Sequence, residues 1–307
     1  MFDDLRDRLG LIIPFGLFGV FAIVYTVIWL NAANLVRTEI ALAVERETTE
    51  GRTLNIGATK VRGYPFNLRG TLSDVVYARP GLGQFEAEEV IFATLPLSPD
   101  RIILSPRGEQ FVTLGKDRYA LKSDDLRLSL ARGDTALETH GVSMTSELRV
   151  MTITTLIGNV QELERGSAIA LGVRGFALDG EVPIDIANLD FAASAHEDTL
   201  TIANLGFSVG ENDGDPPSQV AGKGELLFDD KGRANGKLDV TVKNQDPLIG
   251  VLTNSGSLGA GEAAGARLVL GLMSDNGNEA VELPFTFSGG RMELGPLSIG
   301  SMPPLPR

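Results

Sequence analysis

The sequence predicts a mainly β protein of the α+β class, in which one apolar N-terminal helix is followed by an antiparallel β-sheet body with a few packing helices. Three observations carry this. Residues 11–30 form an uncharged apolar run, and from Leu54 onward apolar and polar residues alternate over short stretches. The 36 glycines among 307 residues exceed the usual share of about 7%, whereas aromatic residues make up only 6%, a balance suited to many short strands and turns.

Residues 1–10 are read as a short cytoplasmic N-terminus and 11–30 as a transmembrane helix. The run "LIIPFGLFGVFAIVYTVIWL" has the length needed to cross about 30 Å of hydrocarbon. Pro14 is tolerated in such a helix, and Tyr25 and Trp29 stand toward its far end, where amphipathic rings favour the headgroup layer as membrane-interface residues. A cleaved signal sequence, with small residues at Ala32, Ala33, Ala41 and Ala43, is the competing reading; its apolar core would run only about 7 to 15 residues. Arg6, Arg8 and the α-amino group precede the span closely, and the first cation after it is Arg37. That asymmetry keeps the N-terminus inside and places the body outside the cytoplasm, which in a bacterium means an inner-membrane protein with a periplasmic body.

Residues 31–50 are expected to continue the helix out of the membrane, with Val36, Ile40, Ala43 and Val44 on one face, until Gly51 ends it. Residues 51–307 form the β-rich domain, with possible halves at 51–165 and 166–307 and Gly166 as the midpoint. Turn chemistry is clearest at Gly115–Asp117 and Asp229–Gly232. "NQDPLIGVLTNSG" predicts a helix with Asp246 as N-cap and Pro247 at its first position; "GEAAGARLVLGLM" predicts a second, with Ala264, Leu268 and Leu272 on one face. In "LRVMTITTLIGNVQELER" the spacing of Val150, Ile153, Ile157, Val160 and Leu163 suits a helix and the threonines suit a strand, so a strand turning into a helix is expected.

The chemistry excluded is as informative. The chain has no cysteine, which removes disulfides, thiol nucleophiles and cysteine-ligated zinc or iron–sulfur centres. A formal net charge of −13 without a basic stripe argues against nucleic acid, and against docking the bulk of the domain on an anionic lipid surface. No Gly-x-Ser-x-Gly elbow occurs, and Gly81–Gly83 lacks the βαβ context of a dinucleotide site. Asn212, Asp213 and Asp215 lack the spacing of a calcium loop. His140 and His196 read as surface or hydrogen-bonded side chains, and Glu88, Glu89, Asp124 and Asp125 as exposed turn charges. No catalytic, cofactor-binding or metal-binding residue is assigned, and the chain is expected to be non-enzymatic.

One stretch stands apart from the strand pattern. "KVRGYPFNLRG" sets Gly63, Tyr64, Pro65 and Phe66 together between cations, a corner that breaks an early strand and either fixes register or forms an interaction surface. This corner after one N-terminal span, together with the terminal run "GGRMELGPLSIGSMPPL", resembles the bacterial family known as domain of unknown function 2125, over nearly the whole chain. Where that family's corner usually continues with arginine, this chain has Asn67, flanked by Arg62 and Arg69. The resemblance implies a fold similar to AsmA-like envelope proteins, with an elongated, curved β-rich periplasmic body, and a broader group in which some members handle lipids between membranes.

Two functional expectations follow. The first is a membrane-anchored protein that binds lipid or another apolar ligand on a curved sheet, with an apolar face larger than ordinary surfaces expose. The alternative is a structural or accessory subunit of a membrane protein complex, with a filled sheet interface. The bilayer is the expected partner through residues 11–30, joined by a lipid or a membrane protein.

Overall fold

The computed structural model describes residues 2–65, 67–95, 98–147, 149–179, 184–210, 216–254, 259, 261, 263–265, 267, 271, 280–294, 297–302 and 304. Helix α1 (Phe2–Thr49) is a single element of 48 residues, about 72 Å long at 1.5 Å per residue, and so covers both the apolar run and the segment expected to follow it. Its end is a Schellman motif: Gly51 N–H donates to the Thr48 carbonyl at 3.1 Å and Arg52 N–H to the Glu47 carbonyl at 2.8 Å. The Arg52 side chain turns back onto Glu47, with Nε 2.5 Å from the carboxylate, which holds the last turn closed.

Two compact units follow from the packing: residues 1–110 with 130–132, and residues 111–129 with 133–307. The first contains α1, β1 (Thr53–Asn55), β2 (Ala58–Arg62), β3 (Leu68–Arg79) and β4 (Gly83–Leu95). β3 is the organising strand, pairing antiparallel with β1, β2 and β4. Its alternate residues Leu68 and Leu72 face α1, which presents Trp29, Ala32, Ala33, Val36 and Ile40 at i, i+3, i+4, i+7 and i+11. Val75, Ala87, Val90 and Phe92 complete this core. Phe92, 1% exposed, crosses over Gly70, where a Cβ would overlap its ring and the Lys60 carbonyl. Burial of each such Leu, Val or Phe contributes on the order of 1.5–3 kcal/mol.

β5 (Ser98–Leu114) runs across the division between the units and is followed by β6 (Asp117–Lys122) and β7 (Arg127–Ala131). The second unit then runs through β8 (Asp134–Thr145), β9 (Val150–Glu162), β10 (Ser167–Asp179), β11 (Ile184–His196), β12 (Thr199–Val209), β13 (Ser218–Phe228), β14 (Ala234–Lys243), α2 (Gln245–Asn254), β15 (Val281–Ser288), β16 (Arg291–Leu294) and β17 (Leu297–Ser301). From β8 to β17 every strand pairs antiparallel with the next. The large antiparallel sheet and scarce helix match the predicted class. Gly166 lies in the β9–β10 turn, where Leu163 N–H donates to its carbonyl at 3.0 Å.

Two readings are corrected. Residues 150–162 are one strand with no helical part, because β9 is paired along both edges, to β8 and to β10, and a helix would forfeit both ladders. α2 starts at Gln245, and Asp246 is not its cap. The orphan Leu248 N–H donates to Ser218 Oγ at 2.9 Å, and that fully buried hydroxyl donates to the Asn244 carbonyl. Asp246 instead faces Arg267, 3.2 Å from its Nε. The second expected helix is helical at 261, 263–265, 267 and 271, and its remaining residues, Leu268 and Leu272 among them, lie outside the described residues.

The Asp229–Gly232 turn closes as the sequence indicates, with Gly232 N–H donating to the Asp229 carbonyl at 2.8 Å. Asp229 Oδ2 accepts from Arg233 Nε at 2.7 Å, and Oδ1 accepts from the Arg233 and Lys231 N–H groups at 2.9 Å. These bonds, the Arg233 side chain first, pull the Asp229 carboxyl down from 3.8 to about 2. A carboxylate whose pKa is lower folded than unfolded stabilises the fold fully above the unfolded value and ceases to do so as pH falls through the folded one. Asp229→Asn is therefore expected to lower Tm at pH 7. The gap to wild type should close as pH falls from about 4 to about 2, and thermal scans across that window test it; a pH-independent gap overturns the assignment.

Candidate functional site

The corner is docked on α1 where the apolar run ends. Tyr25 Oη donates to the Pro65 carbonyl at 2.5 Å, and Trp29 Nε1 donates to the Asn67 carbonyl at 3.0 Å. Thr26 Oγ1 lies 2.7 Å from Tyr64 Oη and 2.6 Å from the Ala22 carbonyl. Its single proton goes to that carbonyl, so Tyr64 is the donor to Thr26. The Trp29 and Tyr64 rings meet edge to face, 5.5 Å between centroids at 88°. Asn67 N–H closes the corner onto the Gly63 carbonyl at 3.1 Å, and the Tyr64–Pro65 peptide bond is cis.

The residues singled out from sequence thus converge: Tyr25 and Trp29 contact Tyr64, Pro65 and the chain just after them, while Phe66 lies outside the described residues. Trp29 is only 8% exposed and spends its N–H inside the chain, whereas Tyr64, at 53%, keeps much of its ring outside. Asn67 contributes through its backbone carbonyl, so the departure from arginine leaves the docking bond intact. Thr26 went unremarked in the sequence, although a hydroxyl within an apolar run was a signal that it has a partner. Leu68, fully buried against Trp29, Ala32 and Ala33, gives those alanines a packing role, since small side chains let the strand approach the helix.

In the second unit the register aligns three cross-strand rows that are apolar from β9 to β15. One runs Val160, Ile169, Ala193, Ile202, Gly224, Leu238, Phe285; the next Gly158, Leu171, Phe191, Leu205, Gly222, Val240, Leu283; the third Leu156, Val173, Leu189, Phe207, Val220, Val242, Val281. A bulge in β12 between Ile202 and Leu205 keeps both on this face. Coverage is uneven. Val220, Val240, Val242, Val281 and Leu283 are buried, with Leu248 of α2 packed on them, and Val173, Ala193 and Ile202 are buried too, whereas Leu156, Ile169, Leu171, Leu189, Phe191, Leu205, Phe207, Leu238 and Phe285 are half-buried and Val160 is 43% exposed. The opposite side is mostly polar, with Ile157 and Leu227 exposed on it, and two open hollows there, of about 490 and 560 Å³, include Asn188, Asp190, Ser208, Gln219 and Lys243 in one and Asn204, Lys223, Asp239 and Glu282 in the other.

His140 Nδ1 lies 2.9 Å from Asp125 Oδ1, and this bond, ahead of all other influences, holds the Asp125 carboxyl below its ordinary value. No group of three metal-ligating side chains comes together among the described residues. The Asn212, Asp213 and Asp215 cluster lies outside them.

A large antiparallel sheet with an apolar and a mostly polar face, together with a helix long and apolar enough to cross a membrane, defines a β-rich protein with scarce helix. The chain belongs to the family described as "Uncharacterized protein conserved in bacteria (DUF2125)", whose model matches residues 29–197 and 125–303. Neither a curated protein nor a solved structure matches it.

Gly63 adopts φ +108°, and a Cβ there would sit 2.6 Å from the Asn67 carbonyl oxygen. Gly63→Ala is expected to cost about 1–3 kcal/mol, through backbone strain and displacement of the Trp29 acceptor. Trp29 is the sole tryptophan, so a red-shifted emission and a lower denaturation midpoint would report it. Unchanged emission would show that the corner does not depend on glycine.

Proposed function

We propose that this is a single-pass protein of the bacterial inner membrane, anchored by residues 11–30, whose periplasmic body binds the acyl portion of a lipid on the apolar face of β9–β12. The observation that carries the reading is the coverage gradient across that face. Beside Leu248 of α2 the valines are buried, and toward β9 half-buried Leu171, Phe191 and Leu205 alternate with buried Val173, Ala193 and Ile202, ending at exposed Val160. An acyl chain laid along Leu171, Phe191 and Leu205 would complete the burial; each is already half-buried, so each returns only about a third or less of the roughly 1.5–3 kcal/mol that burying a fully exposed side chain gives. The polar hollows opposite do not offer that environment. The anchor supplies the membrane from which such a lipid would come.

Native mass spectrometry of the detergent-extracted full chain tests the binding. Phospholipid is expected to remain bound to wild type, and Leu171→Gln with Phe191→Gln is expected to reduce its retention by about ten-fold or more, with circular dichroism unchanged. A stoichiometric protein subunit in place of lipid would overturn this reading in favour of an accessory role. Topology is tested separately: a reporter fused after Arg307 should be active in the periplasm, and activity confined to the cytoplasm would reverse the orientation.

A further inference from the structure

We propose that Arg62 and Arg69, exposed beside the Gly63–Asn67 corner, form a site for the phosphate of an anionic phospholipid headgroup. The two are cross-strand partners in the β2–β3 register, both exposed, on the face opposite the one that α1 covers. Lys60, in the adjacent row opposite Thr71, is exposed on the same face. None of the three has an ion pair among the described residues. Like charges directly opposite one another destabilise a ladder. The chain carries 40 acidic residues against 27 Lys and Arg, yet among the described residues paired with β3 the carboxylate in line on this face is Glu89, opposite Ser73 and four residues, about 13 Å, along β3 from Arg69. An unneutralised cation pair in so acidic a protein asks for an external anion.

Position identifies the anion. Leu68, the neighbour of Arg69, packs on Trp29, Ala32 and Ala33, so the arginines stand at the level where the apolar run 11–30 gives way to polar sequence. The half-exposed Tyr64 ring, on the α1 side of the same corner, is an amphipathic group suited to the same layer. Two planar guanidinium forks match the oxygens of one phosphate, and the corner's docking on α1 fixes their height.

The inference rests on the anchored reading, and one reconstitution separates the two. The full chain is placed in phosphatidylcholine vesicles with and without phosphatidylglycerol, and association of spin-labelled phosphatidylglycerol is compared with that of spin-labelled phosphatidylcholine. Wild type should prefer phosphatidylglycerol, by roughly five-fold per arginine. R62Q/R69Q should lose that preference, while quenching of Trp29 by brominated lipid chains stays as in wild type. Arg62→Lys with Arg69→Lys should retain part of it. A preference unchanged in R62Q/R69Q, or absent from wild type while Trp29 is still quenched, overturns the phosphate site alone. Unquenched Trp29 in a protein that washes off the vesicles overturns the anchor and the site together.

Discussion

The first unit depends on the contact between Trp29 and the chain at Tyr64–Leu68. A helix of this length has no reason of its own to hold a sheet at a particular height. Burial of Leu68 and Leu72 against Ala32, Ala33 and Val36 supplies the attraction, but apolar contact is non-directional and would tolerate a slide along the helix. The bonds from Tyr25 to Pro65 and from Trp29 to Asn67 remove that freedom. Each contributes only about 1 kcal/mol net, yet a slip by one helical turn would leave both donors unpaired in an apolar setting, at about 1–3 kcal/mol apiece. Packing therefore provides the stability and the hydrogen bonds choose the register.

The same division of labour is visible in the second unit. The ladders from β8 to β17 satisfy the backbone without regard to side chains, so the pattern of faces decides what the sheet can contact. Glycines at 158, 222 and 224 interrupt the apolar rows without making them polar, leaving the face shallower where they stand. The high glycine count thus serves more than turns. The β12 bulge does comparable work, because without its extra residue Leu205 would fall on the polar side.

Fold class, the α1 terminus at Gly51, the hairpin turns and the existence of α2 were legible in the sequence because each rests on local chemistry: apolar run, alternation, turn residues, a Pro near a helix start. Residues 150–162 were not, and the reason is specific. Leu156 and Val160 face the apolar rows, Ile153 and Ile157 have the opposite parity, and apolar residues on both faces of a strand imitate helical spacing. The cap of α2 was equally hidden, since Ser218 lies 30 residues before the N–H it satisfies. For the corner, the residue types announced a bend, but not that backbone carbonyls at Pro65 and Asn67 would be the groups used. The apolar rows were invisible for a related reason: alternation assigns each strand two faces, and only the register says which faces coincide.

Charge would constrain how the chain meets a bilayer under the anchoring proposed above. A net charge of −13 repels the body from an anionic surface within a Debye length of about 8 Å. Lys60, Arg62 and Arg69 carry the opposite sign beside the corner that is bonded to the helix. The short stretch from Lys60 to Gly70 therefore joins two tasks that composition alone would keep apart, closing a strand onto the helix and presenting the only sign of charge that an anionic lipid surface would accept.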